Sequence, residues 1–384
     1  MKSSRMFILV FVAVFCMFTG MAMAVSTANV TQVGNNNEAT TSQTGTNDTA
    51  NTTQYGSNRG DVTQSGNNNN ATINQGTLAV PVTNLSLPGY NGDWMHGAFI
   101  KQSGNNNDAT INMKGNSDYA HIYQTGDRNI GFQDIGTEQS KANGNLLGQV
   151  VGPHYGVTID QTGNDNKAYQ TTKASYGCYG IQDMRITQTG NTNTSNQTSI
   201  GGMQSVMDAF LTGNLNLTTQ YADGMVDRNT VNINGNSNVT DQEQPYVLWG
   251  TTTRIATIDI TGDSNVVNQT QSGTGDVSHS TITGSFNHVT QTQTGGNGNS
   301  ATVVQSGNSN TASQIQTGNN NTVSISQTGG NLNQAYQAQT GDGNLATVVQ
   351  NGSLNYASQS QIGNGFVSVV IQTGNGNFSL VTQH

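Results

Sequence analysis

The chain has 384 residues, 12 basic and 21 acidic side chains and a formal charge of −9, an acidity that opposes a nucleic-acid partner. Only 32% of residues are hydrophobic, too few for an ordinary globular core, and only 9% are charged, too few for a typical disordered chain. In their place stand 52 Asn, 52 Thr, 35 Gln and 47 Gly, side chains that must satisfy one another by stacking if they are to be buried.

Residues 1–24 read as a secretory signal. Lys2 and Arg5 open it, residues 6–18 are apolar, and Ala22, Met23 and Ala24 supply a small-residue cleavage site before Val25. The apolar run is short for a membrane span. Phe15 ahead of Cys16 opposes lipoprotein processing, where a small residue is needed. Loss of Lys2 and Arg5 takes the charge from −9 to −11 and leaves Cys178 without a disulfide partner in the chain.

A repeated phrase begins at Gln32 and returns at Gln43, Gln54, Gln64 and Gln75. It resumes at Gln102, Met113, Gln124 and Ile135, then at Gln161, Thr172, Gln188, Ile200, Leu211, Ala222, Ile233 and Gln244. From Ile260 it runs unbroken through Gln271, Ile282, Gln293, Gln305, Gln316, Gln327, Gln339, Gln350, Gln361 and Gln372 to Gln383, with nine intervals of 11 residues and two of 12. Such a fixed period is the mark of a repeat architecture.

Each phrase has the form Gln-x-Gly-x-x-Asn-x-(Ala/Val/Ser)-x-x-x-Gln. Gly-x-x-Asn tolerates positive φ and predicts a turn. The alternation that follows, as in Asn310, Ala312, Gln314, Gln316 and again Asn321, Val323, Ile325, Gln327, predicts a short strand with one inward face. Asn299, Asn333, Asn344, Asn355 and Asn377 hold the same place, with Asp276 and Phe366 as departures. Alternate phrases differ at mid-strand: the even ones carry Val303, Ile325, Val348 and Val370, the odd ones Gln291, Gln314, Gln337 and Gln359. Two phrases therefore make one coil of 22–23 residues. The expected fold is all-β: a two-sided β-solenoid of about 14 rungs forming one domain over residues 25–384, its Asn and Gln pointing inward in ladders.

Four turn insertions interrupt the beat, at about 76–95, 136–154, 173–181 and 245–253. Each precedes an even-phrase strand, at Ile100, Ile159, Ile186 and Ile258, so all four should emerge along one edge. They hold Pro81, Pro88, Pro153, Pro245, Trp94, Trp249 and Cys178, residue types the ladder excludes. Trp94 and Trp249 are candidate surface-ligand contacts, with packing of their own insertions as the plainer reading. Cys178 reads as a buried thiol or an intermolecular one.

The run Gln305-x-Gly307-x-x-Asn310-x-Ala312-x-x-x-Gln316 resembles the curlin repeat, the unit of curli amyloid fibres, and the likeness extends in weaker form along nearly the whole chain after the signal. That resemblance implies a bacterial extracellular fibre subunit, exported through a dedicated outer-membrane channel and nucleated at the cell surface by a second subunit. The chain departs from the family pattern in its many rungs and its large insertions, and only residues 25–31 precede Gln32 where curlins carry a glycine-rich segment.

No catalytic, cofactor-binding or metal-ligating constellation is legible. Gly341-x-Gly343 and Gly374-x-Gly376 open like nucleotide loops, but Ala346 and Ser379 stand where a third glycine is needed. Asp127, Asp165, Asp263 and Asp342 lack the dense Asp-Gly pattern of calcium solenoids. His96, His121, His154, His279, His288 and His384 show no ligand spacing. The leading expectation is a non-enzymatic, secreted amyloid subunit of biofilm and adhesion fibres, stacking end to end as a homopolymer. The alternative is a monomeric binding solenoid, an adhesin or an ice-binding protein. The neutral last rung, with Val367, Val369, Ile371, Phe378 and Leu380, is the expected assembly edge.

Overall fold

The computed structural model describes residues 25–34, 37–55, 58–76, 97–114, 119–135, 156–173, 181–200, 204–224, 226–245 and 253–384. The signal segment with Ala24, and Trp94, Trp249, Cys178, Pro81, Pro88 and Pro153 of the insertions, lie outside the described residues. The described residues form 29 strands and no helix. Two compact units, residues 1–181 and 182–384, share one plan.

In the first unit, strands Thr27–Val33, Thr49–Tyr55, Asn70–Gln75, Asp108–Met113, Ile130–Ile135 and Lys167–Lys173 make one parallel sheet. Between them in sequence, Glu38–Thr46, Arg59–Asn67, Gly97–Asn105, Tyr119–Thr125 and Val157–Thr162 make the other. In the second unit one series runs from Thr194–Ile200 to Phe378–Gln383 and the other from Ile181–Thr189 to Val367–Thr373. Each strand thus pairs in parallel with the strand two places along, which is the two-sided β-solenoid the alternation predicts. The register is set by identity: Gln314 pairs with Gln337 and Gln337 with Gln359, a step of 23 and then 22 residues.

The period-two pattern decides what is inside. In Thr322–Thr328, Val323, Ile325 and Gln327 are buried and their neighbours are not. Small residues open the inward face, where Ala301, Val323 and Ala346 stack as one cluster. The turn between the series needs glycine for a steric reason as well as for its φ. Gly307 stands at φ 112°, and a Cβ there would lie 2.1 Å from the carbonyl oxygen of Gly330 in the next rung. Coils separated by one ladder spacing leave no room for a side chain at that place.

The insertions fall on one type of connection. They join Gln75 to Gly97, Ile135 to Val157, Lys173 to Ile181 and Gln244 to Arg254, from the odd series to the even in every case. Among the described residues the opposite turns, from the even series to the odd, all stay short.

Candidate functional site

The residues read as the repeat ladder stand in hydrogen-bonded columns of the second unit. Three glutamine columns run through the second unit. In the odd series, Gln291, Gln314, Gln337 and Gln359 are joined side chain to side chain at 2.9, 3.0 and 2.8 Å. Beside them Gln293, Gln316, Gln339, Gln361 and Gln383 are joined at 3.0, 3.2, 2.8 and 2.7 Å. In the even series Gln305, Gln327, Gln350 and Gln372 are joined at 2.7, 2.9 and 2.8 Å.

A glutamine amide has two N–H groups, and most ladder members use both. Gln314 Nε2 donates to Gln337 Oε1 and also across the core to the Thr302 carbonyl at 3.0 Å. Gln350 Nε2 reaches Gln372 Oε1 and the Gln334 carbonyl. A glutamine bonded in this way ties its own sheet along the axis and the two sheets to each other. A net gain of about 1 kcal/mol per hydrogen bond lets such a core hold with few apolar side chains.

The columns have a direction. In each, Nε2 of one rung donates to Oε1 of the rung that follows in sequence, from Gln32 to Gln54 in the first unit as from Gln361 to Gln383 in the second. The first member of a column therefore has an acceptor with no donor. This accounts for three buried oxygens without partners: Gln133 Oε1 follows Ile111, Gln244 Oε1 follows Ala222, and Gln305 Oε1 follows Ile282. Each is where an apolar residue hands over to glutamine.

The asparagine column runs the other way. Asn333 donates its backbone N–H and Nδ2 to Asn310 Oδ1 at 3.0 and 3.1 Å, and Asn355 and Asn377 continue the series. On the opposite turn Asn321 and Asn344 donate their backbone N–H groups to Asn299 Oδ1 and Asn321 Oδ1, while their Nδ2 groups reach the Gly341 and Gly363 carbonyls. Asp276 heads that run, accepting from Asn299 N and from Gly273 N; burial raises its pKa. Phe366 ends it, since its backbone N–H donates to Asn344 Oδ1 but its side chain accepts nothing in return.

The turn acids are members of a further hydrogen-bonded column. Asp127 Oδ1 accepts from Asn105 N at 2.7 Å, Asp263 Oδ1 from Asn236 N at 2.6 Å and Asp342 Oδ1 from Asn319 N at 2.7 Å. Asp165 instead pairs with the Arg128 guanidinium, which holds its carboxyl below the usual range. Among the described residues no three His, Cys, Asp or Glu side chains converge on one point.

Two features escaped the sequence reading. Arg254 and Asp227 form a buried, bidentate pair with both contacts at 2.7 Å, and Arg254 also caps the carbonyls of Pro245 and Gln271 beside the fourth insertion. Burial raises the Asp227 carboxyl and Arg254 opposes that shift. The signal was their common phase, since the two stand in register on adjacent rungs. The second feature is a turn position held at positive φ by Leu215, Phe286, Leu332 and Leu354, all exposed.

The expected assembly residues lie on the terminal strands, with a difference in aim. Val367, Val369 and Ile371, like Phe378 and Leu380, project from the outer sheet faces, while Ser368, Val370 and Gln372 point inward. The edge proper is backbone and ladder amide. These columns define the class: a β-solenoid repeat protein with a hydrogen-bonded polar core. Within it, residues 296–329 match the curlin associated repeat family model, over three strands of the second unit. No curated protein matches the chain.

Proposed function

We propose that this is a secreted, curlin-like structural protein whose single solenoid builds extracellular fibres by end-to-end cross-β stacking, serving biofilm and adhesion without catalysis. The observation that carries the reading is that, among the described residues, the terminal strands are paired on one side only. Thr27–Val33 and Glu38–Thr46 open the two series, and Val367–Thr373 and Phe378–Gln383 close them. Open, proline-free and nearly uncharged edges are templates for further strands. The curlin repeat at 296–329 points to the same use. On this reading the chain leaves the cell through a curli-type outer-membrane channel and is nucleated by another subunit, and the insertions that carry Trp94 and Trp249 engage surface ligands.

The test is electron microscopy of the chain recovered after export, with thioflavin fluorescence followed over time. Unbranched fibres that seed fresh protein are expected. A chain that stays monomeric at high concentration and ignores seeds would return the reading to a monomeric binding solenoid.

A further inference from the structure

We propose that the junction between copies has one register: the first strand of an incoming copy, Thr27–Val33, pairs with Val367–Thr373, and its second, Glu38–Thr46, pairs with Phe378–Gln383. This rests on the fibre reading above and says how the second copy docks.

The winding supplies the first reason. Each strand stacks on the one two places before it, so the place following Phe378–Gln383 lies over Val367–Thr373. Were Thr27–Val33 to stack on the last strand instead, Glu38–Thr46 would sit one rung too far from Val367–Thr373. A strand place of about 4.8 Å would stand empty at every junction.

The turns supply the second. Residues 33–38 read Val-Gly-Asn-Asn-Asn-Glu and residues 373–378 read Thr-Gly-Asn-Gly-Asn-Phe. Gly34 and Gly374 stand at φ 116° and 99°. Asn37 Nδ2 donates to the Val33 carbonyl at 3.4 Å and Asn377 Nδ2 to the Thr373 carbonyl at 3.1 Å, the same local bond. Placing Gly34 and Asn37 on Gly374 and Asn377 puts Gln32 on Gln372 and Gln43 on Gln383.

Column polarity supplies the third. Among the described residues, Gln372 and Gln383 each donate one Nε2 hydrogen to a facing carbonyl and have the other unused. Gln32 and Gln43 donate forward to Gln54 and Gln64, but nothing donates to their own Oε1 atoms. The proposed register joins these donors to these acceptors. It also sets Asn37 N–H against Asn377 Oδ1, repeating the bond that Asn58 N makes to Asn37 Oδ1. In the other register Asn37 would fall on Phe366, which has no acceptor. Two N-terminal ends brought together would oppose acceptor to acceptor, so the fibre is polar.

Cysteine pairs at outward positions test the register in exported chain carrying Cys16→Ala and Cys178→Ala. Asn29→Cys with Val369→Cys should give fibres that oxidise to disulfide-linked multimers, because in-register neighbours lie within disulfide reach. Asn29→Cys with Leu380→Cys should give fibres that stay unlinked. Linkage of the second pair, or of neither in intact fibres, overturns the register while leaving the fibre reading in place; absence of fibres from the unsubstituted chain defeats that reading itself. If the thiols block assembly, cryo-electron microscopy of unsubstituted fibres decides, by the identity of the strand stacked on Val367–Thr373.

Discussion

Glutamine suits the inner columns because one side chain carries two donors and an acceptor, matching a neighbour above, a neighbour below and a carbonyl across the core. The same chemistry makes position within a column matter more than the residue type. Gln305 heads its column with an unmet acceptor, whereas Gln327 both accepts and donates. Gln305→Met removes one orphan and creates another at Gln327 Oε1, so it should change stability by less than ~1 kcal/mol. Gln327→Met strands Gln305 Nε2 and Gln350 Oε1 together and should cost about 2–5 kcal/mol. Chemical denaturation of the unassembled chain measures both; equal losses would refute a directional column.

At the scale of strands and turns, the repeats tolerate local cost where the next rung compensates. Phe286 and Leu332 occupy φ near 60°, a conformation that glycine or asparagine adopts more cheaply, because the ladder on either side holds the turn. The Arg254–Asp227 pair is a second local exception, placed where the fourth insertion leaves and rejoins the coil. Removing one partner leaves an unpaired buried charge, so Arg254→Met should cost ~3–5 kcal/mol at neutral pH. The Asp227 carboxyl is already raised by burial and rises further without its guanidinium. An acid whose folded pKa exceeds its unfolded value contributes stability below the unfolded pKa and loses it as pH rises through the folded one. The single variant should therefore recover as the pH falls, and Arg254→Met with Asp227→Leu should be near wild type at all pH. Denaturation midpoints across pH check this, and a pH-independent deficit would show that packing is at fault.

On the scale of the whole molecule, axial and lateral contacts use different atoms. Ladder amides and strand backbone face along the axis, whereas Val369 and Ile371 face outward, 57% and 70% exposed. Lysines at both positions should therefore leave elongation within about twofold of wild type and reduce the bundling of fibres, since outward charges repel neighbouring fibres and are screened by salt. Gln372→Leu with Gln383→Leu should do the reverse, slowing elongation while bundling persists. Thioflavin growth curves and fibre widths by microscopy separate the two, and the opposite assignment would place the assembly contact on the faces.

The period in the sequence determined the fold, because identical phrases at a fixed step can satisfy their amides only by stacking in register. The choice of Gln or aliphatic at mid-strand separated Gln314 from Ile325 and so counted two strands to a coil. The placement of Pro245 and its fellows outside the beat located the insertions. What needed the tertiary structure was direction: which amide donates upward, where a column such as that from Gln305 begins without a donor, and which way Val369 points. An amide reads the same as donor or acceptor in a one-dimensional sequence. Its sense is fixed only when carbonyls of the facing sheet, such as that of Thr302, claim one of its hydrogens and leave the other for the next rung. Arg254 and Asp227 likewise stand 27 residues apart in the chain and become a pair only when the coil brings them one rung apart.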